Sequence, residues 1–225
     1  MNILECFSGT GSVGKVAESL GWNVVSVDSV FPATHHGDIM QFDYKQYPKD
    51  YFDVIWGSPP CHTFSHLQFG WIGRQVRGEL VTKESIMERQ EKEGVPLLNK
   101  LLEIIDYFKP RFYFIENPAT SRMKNYLTFP NYVVDYCMYC DWGYKKRTRI
   151  WTNVETFVPK TCTGKCGNII EIGDKKSHSL NVGNFKKKIL VKKHTGRAGD
   201  VSRFDAYRIP PALIEDLFMC IIDEF

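Results

Sequence analysis

The placement of turns at the ends of apolar runs restricts the fold of this chain more than any other feature. Asn2–Cys6 is a short strand-like run that stops at Phe7-Ser8-Gly9-Thr10-Gly11, after which the pattern turns helical over Ser12–Leu20. Trp22–Asp28 is rich in β-branched residues, and Phe52–Trp56 is a further strand closed by Gly57-Ser58-Pro59-Pro60. Beyond a polar stretch from Gly70 to Gly94, Pro96 suits the first turn of a helix reaching about Phe108. Arg111–Glu116 is an aromatic strand, and Tyr132–Cys140 with Arg149–Asn153 predicts a closing hairpin pair. Strands alternating with helices predict an α/β domain, a mostly parallel sheet with helices on both faces. Ligands gather at the carboxyl ends of the strands in such sheets, and every chemically suggestive segment of this chain falls at one of those ends.

Size and composition set the outer bounds. The 225 residues fit one compact domain with a small insertion, and an apolar share of 43% supports a full core. The chain holds no run of eighteen apolar residues, and Met1-Asn2-Ile3-Leu4-Glu5-Cys6 is not a basic-then-apolar leader. The expectation is a monomeric cytoplasmic protein (in the host cytoplasm, if viral), neither exported nor membrane-bound. Seven cysteines without the tight spacings of a secreted scaffold point to buried thiols, metal ligands or a nucleophile.

The net charge of +3 is unevenly spread. Tyr144 to Arg197 carries fourteen Lys/Arg against three Asp/Glu, a local +11 that leaves −8 elsewhere. Such asymmetry suits a face for a polyanion, although a solvated lysine-rich insertion would have the same composition. From about Glu155 to Arg197 glycines, lysines and short β-like pieces (Asn168–Ile172, Ile189–Val191) replace the earlier pattern. The expected division is therefore a main domain over 1–153, a small basic module over 154–197, and a return over 198–225. The return passes through Ile209-Pro210-Pro211 into an amphipathic helix, Ala212–Ile222.

Three segments together describe an adenosine site. Gly9 and Gly11 in the first turn let backbone approach a ligand closely, and the following helix start offers N–H groups to an anion. Asp28, followed by Ser29, ends the second strand, where an acid accepts hydrogen bonds from ribose hydroxyls. Gly37-Asp38-Ile39 supplies a second acid for an adenine amino group, with Ile39 against the ring. Each alone is as well read as an ordinary turn or cap. The third glycine of a dinucleotide fingerprint is missing from its usual place, which favours a single nucleoside over NAD or FAD.

The reactive end is Gly57-Ser58-Pro59-Pro60-Cys61-His62-Thr63-Phe64-Ser65. Two prolines stiffen the chain after a strand and present Cys61, whose thiolate is a strong nucleophile. Ile115-Glu116-Asn117-Pro118 places a carboxyl group at another strand end, where it can protonate a ring nitrogen. Lys145-Lys146-Arg147-Thr148-Arg149 supplies donors for a carboxylate, a base carbonyl or phosphates. A buried thiol, a cap and a solvated basic run are the plain alternatives for the three taken singly.

These segments, in this order, resemble those of the cytosine-C5 DNA methyltransferases, particularly short members found in phages and other viruses. The resemblance covers Asn2 to Asn153 and the C-terminal helix, and it implies a Rossmann-like S-adenosylmethionine-dependent fold. It assigns Phe7, Ser8, Gly9, Thr10 and Gly11 to the methionine end of the cofactor, Asp28 with Ser29 to the ribose, and Asp38 with Ile39 to adenine. Pro59 joins the cofactor set, Pro60-Cys61 is the nucleophile motif and Glu116-Asn117 the acid motif. Arg147 and Arg149 match paired arginines that hold the nucleophile loop and the base, and Pro210-Pro211 the end of the last cofactor motif. The implied reaction methylates C5 of a flipped cytosine in double-stranded DNA through a covalent Cys61 adduct. This sequence departs from the family pattern at His62-Thr63, at Pro118, at Lys145 and at Tyr207-Arg208-Ile209.

The segment after the paired arginines reads DNA in that family; here it is short. Ser65, Lys145, Lys186, Lys187, Lys188, Lys192 and Lys193 are the expected nucleic-acid contacts. Cys162-Thr163-Gly164-Lys165-Cys166 resembles half a zinc knuckle, with His178 and Cys140 or Cys137 to complete four ligands. Cys140 is the expected fourth, and both are not expected to bind one ion, since on one strand Cys137 and Cys140 would point to opposite faces. Unpaired cysteines in a loop are the alternative. Rival functions are an RNA cytosine or amino-group methyltransferase, and a non-catalytic DNA-binding relative. Cys61 with Glu116 favours carbon over amino-group methylation, and the survival of all three catalytic positions weighs against a non-catalytic relative. RNA versus DNA is left to a substrate test.

Overall fold

The computed structural model describes residues 1–76, 78–172, 175–180 and 207–222. β1 (Asn2–Cys6) leads through a tight turn into α1 (Ser12–Ser19), and β2 (Asn23–Asp28) is followed by the two-residue β3 (His35–His36). After β4 (Val54–Gly57) come a small hairpin, β5 (Gln75–Val76) and β6 (Glu79–Leu80), and the helices α2 (Lys83–Arg89) and α3 (Val95–Phe108). β7 (Phe112–Pro118), β8 (Asn131–Asp135) and β9 (Arg147–Thr152) complete the main sheet. A second hairpin, β10 (Ile169–Ile172) with β11 (Lys175–His178), and α4 (Pro211–Ile222) follow.

The seven-stranded sheet runs β3-β2-β1-β4-β7-β9-β8, parallel from β3 to β7, with β9 inserted antiparallel between β7 and β8. Its inner strands are apolar on both sides because helices cover both faces. Ile3, Val54, Trp56, Phe112 and Phe114 pack with Val13, Val16 and Ala17 of α1 and with Leu213, Leu217 and Phe218 of α4. The alternate positions Leu4, Ile55 and Ile115 pack with Leu98, Leu101 and Ile104 of α3. The expected α/β architecture is present. Among the described residues no helix is long and apolar enough to cross a membrane.

Two expectations change. The polar stretch before Pro96 is largely ordered: Thr82 and Ser85 form a reciprocal cap for α2, and Glu88–Lys92 and Arg89–Glu93 pair one turn apart along it. A π-turn over Gln90–Gly94 joins α2 to α3, which accommodates the N–H that Pro96 lacks. Charge capping rather than an apolar stripe makes this helix, so its periodicity is faint. The strand expected over Tyr132–Cys140 stops at Asp135, and Tyr136–Met138 is a 3₁₀ turn.

The β10–β11 hairpin lies outside the main sheet and is tied to it by polar contacts. Asn168 Nδ2 donates to the carbonyls of Cys137 (3.0 Å) and Cys140 (2.8 Å), and Leu180 N to Gly143 O (2.7 Å). The β-like piece expected at Ile189–Val191 lies outside the described residues.

Candidate active site

β1, β2, β4 and β7 present their carboxyl ends at one edge, around the point where strand order reverses between β1 and β4. After β1 the chain doubles back through Phe7 (φ 58°), Gly9 (52°) and Gly11 (65°). The glycines adopt this left-handed region at little cost; for Phe7 it is strained, and its neighbour's N–H is held by Val27 O at 3.2 Å. Asp28 sets the shape of the turn. Its Oδ2 accepts from Gly9 N and its Oδ1 from Val30 N and Phe31 N, each at 2.8 Å. Oδ2, with a single donor, keeps a lone pair for a ligand hydroxyl.

β3 pairs Asp28 with His36, so Gly37-Asp38-Ile39 follows directly beside Asp28, with Gly37 N bonded to Asp28 O (2.9 Å). Ile39 is buried, while exposed Asp38 caps the Met40 N–H at 3.0 Å. Ser8 Oγ is buried with no hydrogen-bond partner, and a bound ligand's polar atom would satisfy it. Thr10 Oγ1 bonds Ser12 Oγ (3.0 Å), and Ser29 is exposed at the rim. The glycine cradle, the orphaned hydroxyl and two adjacent acids suit an adenosine-bearing ligand.

One expectation here needs revision. The start of α1 is not fully open to an anion, because buried Glu5 on β1 accepts from Val13 N (3.3 Å) and Gly14 N (3.0 Å). Burial pushes the Glu5 carboxyl from 4.5 up to about 7, against those two bonds. A raised carboxyl favours folding fully below pH 4.5, and that contribution is lost as pH rises through 7. The shift corresponds to about 3 kcal/mol. Urea unfolding without ligand is expected to show this decline between pH 4.5 and 7 in the wild type. Glu5→Gln should flatten it; equal pH slopes in the two proteins would refute the assignment.

At the reactive end, Asn117 Nδ2 donates to the carbonyl of buried Pro59 (2.8 Å), clamping the turn that bears Cys61 onto β7. Thr63 Oγ1 donates to Pro60 O (3.2 Å), Gln68 Nε2 to His62 O (2.5 Å) and Arg122 N to Phe64 O (2.8 Å). Gly94 leaves room for this loop: a Cβ there would meet Thr63 Oγ1 at 2.6 Å and the Phe64 ring at 3.0 Å. Ser65 Oγ caps the next turn at Leu67 N (3.3 Å).

Glu116 is buried on the neighbouring strand. Its Oε1 accepts from Tyr136 OH (3.1 Å) and lies 3.7 Å from Lys146 Nζ, which also stands 4.8 Å over the Tyr136 ring. The Cys61 thiol lies within electrostatic reach of both groups: burial raises its pKa, Lys146 lowers it and Glu116 raises it. The midpoint of Cys61 labelling by iodoacetamide against pH should therefore lie above 9, the ordinary thiol value. Removing the ammonium in Lys146→Met is expected to slow labelling at pH 8 by roughly 3- to 10-fold, read by peptide mass spectrometry. An unchanged rate would mean that Lys146 does not act on the thiol.

Within the basic run it is Lys146, not the paired arginines, that meets the carboxylate, and Tyr136, which no motif marks, joins it. Glu116 pairs with Ile150, so 146, 148 and 150 share its side while 147 and 149 face the other way. Accordingly Arg147 does not reach Glu116: it grips Asp135 through Nε (2.9 Å) and a terminal nitrogen (2.8 Å). Arg149 bonds Asn131, with its Nε buried and unpaired beside Asn117, its cross-strand partner. Lys145 turns inward to Asp135 (3.4 Å) and Cys162 O (3.2 Å) rather than outward to phosphate. Lys186, Lys187, Lys188, Lys192 and Lys193 lie outside the described residues.

The cysteine cluster also differs by one residue. Cys162, Cys166 and His178 converge, but Cys137 joins them instead of Cys140. The 3₁₀ turn after β8 takes both cysteines out of strand alternation, and Cys140 Sγ donates to Tyr136 O (3.1 Å).

The chain's likenesses agree with this geometry. Residues 27–135 match the family described as C-5 cytosine-specific DNA methylase. A Frog virus 3 (isolate Goorha) protein named "Probable DNA (cytosine-5)-methyltransferase" is 44% identical over 223 residues, 96% of this chain and 98% of that protein. The structure of the Entamoeba histolytica methyltransferase EhMeth aligns with a TM-score of 0.55 at 11% identity, covering 100% of this chain and 98% of that one, a likeness of fold. Near end-to-end kinship with the viral protein establishes that this chain belongs to the C-5 cytosine-specific DNA methylase family.

Proposed function

We propose that the protein transfers a methyl group from S-adenosylmethionine to carbon 5 of cytosine in double-stranded DNA, acting as a monomer on a base flipped out of the helix. The observation that carries the reading is the Asn117–Pro59 bond, which fastens the turn bearing Cys61 to the strand of Glu116, with Lys146 3.7 Å from that carboxyl and acting on both groups. The cradle of Gly9 and Gly11, the unpaired Ser8 hydroxyl and the adjacent acids Asp28 and Asp38 suit the cofactor, which supplies an electrophilic methyl on a sulfonium when bound.

The protein's own residues account for the rest. Lys146 favours the thiolate, and Cys61 sulfur adds to C6 of the ring while Glu116 gives a proton to N3. That addition breaks aromaticity and makes C5 nucleophilic. Once C5 is methylated, its proton passes to water, the C6–sulfur bond breaks to free the Cys61 thiolate, and N3 returns its proton to Glu116, which restores the ring. Tyr136 and Lys146 hold the Glu116 carboxyl in place through these steps. The assignment of positioning donors therefore moves from Arg147 and Arg149 to Lys146, with the arginines bracing β9 against β8.

Incubating the protein with S-adenosylmethionine and either duplex DNA or RNA, followed by nucleoside mass spectrometry, tests the proposal. 5-Methylcytosine in the DNA arm is the expected product. N4-methylcytosine, N6-methyladenine, product in the RNA arm alone, or binding without transfer would each overturn it.

A further inference from the structure

We propose that Cys137, Cys162, Cys166 and His178 form a structural zinc site that fastens the segment after β9 to the main sheet. Their ligand atoms all lie within 4.8 Å of one another, with His178 Nε2 3.3 Å from Cys166 Sγ and 3.7 Å from Cys162 Sγ. A tetrahedral ion holding sulfur at about 2.3 Å and nitrogen at about 2.0–2.1 Å sets those atoms about 3.5 Å apart. The two nitrogen–sulfur distances match such a shell.

Three separate elements deliver these ligands: the 3₁₀ turn after β8, the 162–166 loop, and β11. Cys137 and Cys162 are buried. Gly164, at φ 87°, turns its N–H back onto Cys162 Sγ at 3.3 Å, a bond that stabilises sulfur as an anion. Around the cluster, Cys162 N donates to Asp135 Oδ2 (2.8 Å), and the Lys145 ammonium, which offsets excess thiolate charge, donates to Cys162 O (3.2 Å). Three sulfurs and one imidazole select zinc among common divalent ions, and four protein ligands leave no open position for chemistry. A two-stranded hairpin has little apolar core of its own, so a metal staple gives it the fixed geometry that packing does not.

The Asp135 carboxylate receives both the Cys162 amide and the Arg147 guanidinium. The staple is thus wired to the start of β9. It does not depend on the proposed chemistry, because metal content is read without activity.

Untagged protein purified without chelator is expected to contain about one zinc ion per chain by plasma mass spectrometry. Mercurial titration of its thiols should release that ion to a colorimetric chelator. Cys137→Ser and Cys162→Ser should each lose most of the zinc, whereas Cys140→Ser should keep it. Should the first two variants fail to fold, cobalt(II) exchanged into the intact protein should give the intense thiolate-to-metal and tetrahedral ligand-field bands of an S₃N site. Metal-free protein that takes up neither zinc nor cobalt when reduced would overturn the inference. So would a Cys162–Cys166 disulfide in acid-trapped cell extracts, or zinc lost from Cys140→Ser but kept in Cys137→Ser.

Discussion

Cys61→Ala protein is expected to transfer no measurable methyl group to DNA, a loss of roughly 10⁴-fold or more, as when a nucleophile is removed from an interdependent catalytic set. Cys61 is only partly buried, and the loop around it is held by Thr63, Gln68 and Arg122 rather than by the thiol. The variant should therefore melt close to the wild type. The same substitution offers a sharper readout with a duplex carrying 5-fluorocytosine. After methylation, C5 of that base has fluorine and methyl but no proton to lose, so the C6–sulfur bond cannot break. Wild-type protein should become covalently attached, visible on denaturing gels, and peptide mapping should find the adduct on Cys61. Attachment elsewhere, or retained turnover in Cys61→Ala, would remove this thiol from the mechanism.

Glu116→Gln is expected to lower the methylation rate by about 10²- to 10⁴-fold, the usual worth of a positioned proton donor. The amide can still accept the Tyr136 hydroxyl bond, so the fold should survive, but it cannot protonate a ring nitrogen or pair with Lys146. Its signature separates it from Cys61→Ala. The fluorinated trap should still form, only slowly, because sulfur addition to C6 becomes harder without protonation of N3. A Glu116→Gln enzyme that traps and turns over at wild-type rates would demote the carboxylate to a structural role.

Much of this arrangement was legible in the chain itself. Asp28, Cys61 and Glu116 each stand where an apolar run gives way to a turn, and parallel sheets bring such ends together at one edge. Three details depended on facts that periodicity does not encode. The register Glu116↔Ile150 decides that Lys146 rather than Arg147 faces the carboxylate, and a slip of one residue would reverse it. The 3₁₀ turn at Tyr136–Met138 decides that Cys137 joins the cysteine cluster, which no alternation rule could foresee. The bond from Glu5 to the first turn of α1 is a long-range contact of one buried acid, and a lone Glu in an apolar strand reads only as an anomaly.

The insertion of β9 between β7 and β8 has a consequence for biosynthesis. β7 is complete by residue 118, yet its outer edge stays bare until residues 147–152 have been made. Trp22, Trp56 and Phe114 likewise wait for Phe218 of α4 before that side of the sheet is covered. A nascent chain thus displays a naked strand edge while residues 119–152 are made, and greasy aromatic surface until α4 follows. Release of a truncated product before α4 emerges should yield aggregates rather than a smaller folded unit.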